Sequence, residues 1–279
     1  MESSVHDSVR AVFLLIRKVT YSVMVSPTTR PKDSVYCDYW EEMVKCSVHR
    51  DSHEIPAIAE AAEIKGKHVI DAGYDPGRLI LPFVELAETI TCVREHDWSV
   101  NVIDKMLREK NLRDRVQVVQ SPSVGLPIDD DSSESTYCMW VIHYDKSRWE
   151  KIVQELVRVT KPNAPIVVGF SSGERDLPRL EEFVKPEHQK KMAEFDKEFL
   201  VFCKENGWKV EVRKLVLPFE FKSPDWAFEV FSNTFMKRKV ALEKQKEILD
   251  FLRAHAKNGK TTIEQELRLY IIRAPEEFS

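Results

Sequence analysis

The sequence predicts an α/β fold: a seven-stranded, mostly parallel sheet with one reversed strand and helices on both faces. Three observations predict it. Short β-rich runs alternate strictly with amphipathic helical segments from His68 to Ser171, the periodicity of strands joined by crossover helices. A strand, a glycine turn and a helix, "HVIDAGYDPGRLILPF", open that stretch at His68–Phe83. Two later β-rich runs, 208–221 and 261–273, stand outside the alternation and suit an antiparallel edge.

From Asp38 to Ile64 the apolar spacing is helical, with Tyr39, Trp40, Met43 and Val44 followed by Ile55, Ile58, Ala59 and Ala62. Gly66 closes that segment before a strand over His68–Asp71. Leu79 to Leu86 reads as an apolar helix, and "TITCVRE", Thr89 to Glu95, as a second strand. A helix over 99–112 presents Val100, Ile103 and Leu107 on one face, and Val116–Gln120 is a third strand. "STYCMWVIHY" predicts a fourth strand that runs into a loop at His143, "RWEKIVQELVRVTKP" a helix stopped by Pro162, and "APIVVGFSS" a fifth strand. Crossovers in such a sheet are right-handed, and its ligand crevice lies at the carboxyl ends of the strands.

The last third changes character. Glu187 to Asn206 is a charged helix ended by Gly207, and "WKVEVRKLVLPFEF" alternates as a strand. Trp226 to Met236 and Val240 to Ala256 are helical, and "TTIEQELRLYIIR" is the final strand. The domain reading is a leader over 1–33, flexible or targeting, and one domain over 34–279 with helical lid elements in about 174–257. "DDDSSES", Asp129 to Ser135, reads as a solvated acidic loop.

Composition narrows the partners. With 43% hydrophobic residues in 279, the chain can build one substantial core. A net charge of −4 supplies no whole-chain basic field for nucleic acid or anionic membrane. No apolar run reaches the roughly 18 residues that span a bilayer. The five cysteines form no C-x-x-C pair, which suits a reducing compartment and gives no metal constellation. Cytoplasmic placement follows. The alternative is mitochondrial, because Arg10 and Arg17 face away from Phe13, Leu14 and Ile16 on a helix, although Glu2 and Asp7 oppose a presequence.

The order of motifs resembles the class I methyltransferases that use S-adenosylmethionine. "VIDAGYDPGRL" stands where that family has a strand, an acid and a G-x-G-x-G turn; "LPIDDDSSESTYCMWVIHY" and "WEKIVQELVRVTKPNAPIVV" resemble its later segments, the last most closely. The resemblance implies a Rossmann-like fold, S-adenosylmethionine as cofactor, and a ligand grip built from Asp71, Gly73, Asp75, Gly77 and Glu95. Glycines let the backbone approach the cofactor, and an acid after the second strand accepts from the ribose hydroxyls.

Three positions depart from the family pattern. Asp75 replaces the middle glycine, Arg94 stands in the ribose acid's place with Glu95 one residue later, and Pro122 stands where an adenine-reading acid is expected. Hydrogen bonds to a charged group contribute about 1.5–3 kcal/mol each. Losing two weakens binding on the order of 100-fold or more. Asp71 serves either the cofactor's ammonium or the cap of the following helix. His143, after the fourth strand, is either a general base or a histidine packed under the lid. Trp140 and Tyr144 form an aromatic wall for a flat substrate or belong to the core. Tyr36, Trp40 and Trp226 carry the same two readings, as covers of a substrate site or as packing. The substrate expected is a small molecule, because a basic patch is missing and the last third reads as a lid.

Overall fold

Five parallel strands make the body of the sheet: β1 (His68–Ala72), β2 (Thr89–Arg94), β3 (Val116–Gln120), β4 (Ser135–Met139) and β5 (Ile166–Arg175). They are joined by β6 (Lys209–Phe221), the two-residue β7 (Ala256–Lys257) and β8 (Lys260–Arg273). The order is β3-β2-β1-β4-β5-β8-β6, and β7 is a short hairpin strand on β8. β8 runs antiparallel to both β5 and β6, between them. This computed structural model describes residue 39 and residues 42–73, 77–143, 147–234, 236 and 238–276. The expected leader 1–33 lies outside the described residues, as do Tyr36, Trp40, Asp75 and Tyr144.

The helices are α1 (Ile55–Ala61), α2 (Ile80–Val84), α3 (Asp97–Lys110), α4 (Trp149–Val159), α5 (Asp176–Glu182), α6 (His188–Glu205), α7 (Pro224–Thr234), α8 (Arg238–Glu243) and α9 (Gln245–Ala254). Every residue of β4 is buried, and β1 and β2 are buried after their first residue, as strands covered on both faces must be. One face packs α1, α2 and α3 through Ile58, Phe83 and Ile103. The other packs α4 and α6 through Leu156, Trp149 and Phe199. α3 ends at Asn111, which takes the left-handed conformation at φ 55°, as helix C-caps commonly do.

Three sequence expectations need correction, and one helix was not expected. The fourth strand stops at Met139 because Trp140 turns the chain at φ 64°. The helical stretch from Asp38 to Ile64 is interrupted: Ser47 bridges to Phe219, and Arg50–Glu54 winds as a π-turn. Lys244 divides the last helical segment into α8 and α9. α5 was not anticipated; Pro178 sits in its first turn, where a missing N–H costs nothing.

β6 and β8 are long. Thirteen residues in β6 span roughly 40 Å, against roughly 17 Å for the five of β1, at about 3.3 Å per residue. Beyond the Arg175–Gln265 pair, β6 and β8 continue together to Phe221–Thr261. That extension carries a third core. Phe219, Phe221 and Ile263 pack there against Phe228 and Phe231 of α7 and Ile248 and Leu252 of α9.

Candidate functional site

β1 is the strand at which the sheet order reverses, with β2 on one side and β4 on the other. A crevice at that point, at the carboxyl ends of the strands, is where ligands bind in open α/β sheets. The residues delivered there are Asp71 and Gly73 from β1, Arg94 and Glu95 from β2, Trp140 and His143 from β4, and Gly173 from β5.

The glycine turn is only partly in the family form. Gly77 adopts φ +95°, a conformation that side chains resist, and a Cβ there would lie 3.0 Å from Ile103 and 3.1 Å from Ile80. The next residue, Arg78, donates both terminal nitrogens to Glu54 at 2.8 Å, a bidentate pair that is buried. This pair ties the turn to the π-turn ahead of α1.

Gly73 meets something else. A Cβ at Gly73 would lie 2.9 Å from the Asp71 carboxylate and 3.3 Å from the Arg94 guanidinium. Arg94 reaches back from β2: Nη2 donates to Asp71 Oδ2 at 2.8 Å, and Nη1 donates to the Asp71 carbonyl at 3.1 Å and the Val93 carbonyl at 2.7 Å. Arg94 and Asp71 are each 2% exposed. A buried ion pair thus occupies the corner where the family places its ribose acid. Cys138 stands beside it, and burial together with the Asp71 charge pushes its thiol up, so it offers no thiolate.

Glu95 does not share that corner's burial. It is exposed and lies 3.4 Å from Arg148. Ser121 turns its hydroxyl to the Pro122 carbonyl at 3.0 Å, and Pro122 is exposed.

On the β4 side the structure brings Trp140 and His143 together, 6.3 Å between ring centroids. His143 also stacks on Phe170 of β5 at 6.1 Å and 25°. Burial pushes the His143 imidazole down to about 3, with Glu181 opposing and His188 and Lys185 adding to the fall. Its ring is therefore neutral at physiological pH. Trp226 is elsewhere: it packs against Tyr39 at 6.2 Å, with Lys222 Nζ 4.0 Å above its ring.

Sequence reasoning missed Glu181, Lys185 and His188. Glu181 is 7% exposed, with Lys185 Nζ at 2.6 Å and His188 Nε2 at 3.0 Å. The four-residue spacing of Glu181 and Lys185 was a readable signal. His188 carried none, since only the turn at Pro186 brings it back to Glu181. Among the described residues there is no metal-ligating cluster, and no helix is long and apolar enough to cross a membrane.

Comparison with known proteins agrees with this architecture. A methyltransferase-domain family matches residues 70–168, which run from β1 into β5. No curated protein matches in sequence. Among solved structures, the YcgJ protein from Bacillus subtilis is 19% identical at a TM-score of 0.59, covering 80% of this chain and 99% of that one. A putative methyltransferase from Bacillus halodurans is 18% identical at 0.58, with the same coverage of 80% and 99%. A SAM-dependent methyltransferase from Aquifex aeolicus is 14% identical at 0.54, covering 88% of this chain and all of that one. The matched methyltransferase domain lies within the stretch from β1 into β5, and the sheet with its reversed strand β8 between β5 and β6 has the fold of these solved structures.

Proposed function

We propose that the protein transfers a methyl group from S-adenosylmethionine to a small-molecule acceptor, with an altered grip on the cofactor. The observation that carries this reading is the glycine turn of Gly73 and Gly77, which lies at the crevice where the strand order reverses, inside the matched domain. The cofactor fits one half of the site. Backbone at Gly73 and Gly77 would lie along its methionine end, and Glu95 would accept from its ribose in place of Arg94. When bound, it supplies an already activated methyl group, so the chain needs chiefly to position the acceptor and exclude water. Trp140 is the wall for that acceptor, α7 to α9 are the lid over it, and Trp226 belongs to the lid's contact surface. His143, neutral and stacked, shapes the wall and handles no proton at neutral pH.

A second reading is a non-catalytic binding module on the same fold. It is favoured by the Asp71–Arg94 pair, which closes the ribose corner with a cation. Calorimetric titration with S-adenosylmethionine and S-adenosylhomocysteine separates the two. Saturable binding of both supports the enzyme. Absence of heat with either ligand, at protein concentrations that reveal millimolar affinity, leaves the binding module as the better reading.

A further inference from the structure

β6 ends the sheet, with β8 on one side of it only. Its outer side meets chain near one end. Ser47 bridges to Phe219, and Val48 donates its N–H to the Pro218 carbonyl at 3.3 Å. Over 209–216 no strand covers that side among the described residues.

The Val48 bond fixes which backbone groups face outward. In an antiparallel strand the N–H and C=O of one residue point to the same side, and the side alternates along the chain. The Pro218 carbonyl points away from β8, and the β6–β8 register is unbroken from Lys209 to Phe221. The outward residues are therefore Val210, Val212, Lys214, Val216 and Pro218. Proline suits such a place, because the N–H it lacks would have faced outward. Val210 packs on the core beneath α6, so Val212, Lys214 and Val216 stand on that same face. Val212 and Val216 are 39% and 38% exposed, where protected edges usually carry charge. The opposite face holds Glu211 and Arg213, and Arg213 reaches Glu60 of α1 at 3.0 Å.

We propose that β6 pairs antiparallel with β6 of a second copy about a two-fold axis through Val212, so that two sheets become one. The same strand pairing with itself about a two-fold axis runs antiparallel. A hydrogen-bonded ladder sets outward residues opposite outward residues, so the axis must fall on a residue. An axis at Glu211, Arg213 or Lys214 sets that charge against its own copy, which opposes pairing. Axes nearer either end run off the start of the strand or into Val48. The axis at Val212 instead sets Glu211 opposite Arg213 of the second copy, twice, on one face. On the other face it sets Val212 against its copy and Val210 against the stem of Lys214. Val210, Val212 and Lys214 then exchange about six backbone hydrogen bonds across the axis. The strip is narrow, so the dimer is a weak one, in the micromolar range.

The test uses the whole chain. Sedimentation velocity at micromolar concentrations should show a monomer–dimer equilibrium. Val212→Pro removes an outward N–H without touching the bonds to β8, and it should abolish the dimer. Glu211→Arg and Arg213→Glu each replace attraction across the axis by repulsion, and each should weaken dimerisation about tenfold or more. Mixed together, these two charge variants oppose unlike charges at both crossings, so they should form a heterodimer although neither pairs with itself. Melting curves confirm that each variant folds. Hydrogen exchange at Val210, Val212 and Lys214 should slow as the protein concentration rises. A dimer indifferent to all three changes would put the interface elsewhere and overturn the proposal. A chain that stays monomeric overturns it too. Protected amides at Val210, Val212 and Lys214 would then give the edge to residues 1–38, and fast-exchanging ones would leave it open.

Discussion

Arg94 and Asp71 face each other across the ends of two adjacent parallel strands, 2.8 Å apart and almost closed to solvent. Taking one member away leaves a buried charge without its counter-ion, which costs about 3–5 kcal/mol. Arg94→Leu should lower the melting temperature by on the order of 10 °C. The double variant Arg94→Leu/Asp71→Asn, which removes both charges, should recover more than half of that loss. Thermal and urea unfolding of the three proteins decide it; a small effect of the single change would mean that the pair contributes little.

The same corner sets the cofactor affinity. With no adenine-reading acid and a cation in the ribose acid's place, the dissociation constant for S-adenosylmethionine should be in the high micromolar range or weaker, after roughly 2–4 kcal/mol of lost contacts. Pro122→Asp should tighten it, since Pro122 is exposed and the change is tolerated. Gly73→Leu should abolish it, because even a Cβ there meets Asp71 at 2.9 Å. Calorimetry on the parent and both variants checks the ordering. Tight binding by the parent would mean that other residues hold the adenosine.

His143 makes stability depend on pH. Folded, its imidazole is pushed down to about 3 by burial; unfolded, it titrates near 6.5. Between those values the unfolded chain holds a proton that the folded chain does not. Stability therefore falls as pH drops through about 6.5 and stops falling, for this group, near 3, with a slope of up to about 1.4 kcal/mol per pH unit. His143→Phe keeps a ring against Phe170 and removes that slope. Urea unfolding at pH 7 and pH 5 should show the parent losing on the order of 1–2 kcal/mol more than the variant.

Gly173→Ala tests how α6 is seated. The added methyl meets backbone at 2.4 Å, and overpacking of this kind typically costs about 1–3 kcal/mol. Hydrogen exchange should quicken first in the opening turn of α6, from His188 to Lys191. Uniform loss across the sheet, with α6 no faster than its neighbours, would mean that the contact is not localised there.

The alternation of strands and helices was legible because each element buries a face at its own period. β1, β2 and β3 lie where those patterns ended, and the reversed strand between β5 and β6 follows the late β-rich runs. Trp140 was not legible as a terminator, since nothing local shows that an aromatic residue will take φ 64°. The replacement of an acid by Arg94 was visible in the sequence. Its partner was not, because the pairing depends on the parallel register that sets Asp71 beside Cys92. Nor was the contact of Glu95 with Arg148 at 3.4 Å legible, because Arg148 comes from the far-off segment ahead of α4. The Glu181–His188 pair escaped for a related reason: a seven-residue separation across a proline carries no periodic signal.

The position of β8 has a consequence for how the chain is made. Synthesis delivers β5 and β6 well before Lys260–Arg273, the strand that joins them. Until it emerges from the ribosome, both β5 and β6 carry an open edge, and open edges pair with other chains. The amino-terminal half of the sheet, β3-β2-β1-β4, can assemble during translation. The other half waits for almost the last of the described residues, so a nascent chain stalled before Thr261 should be the aggregation-prone species.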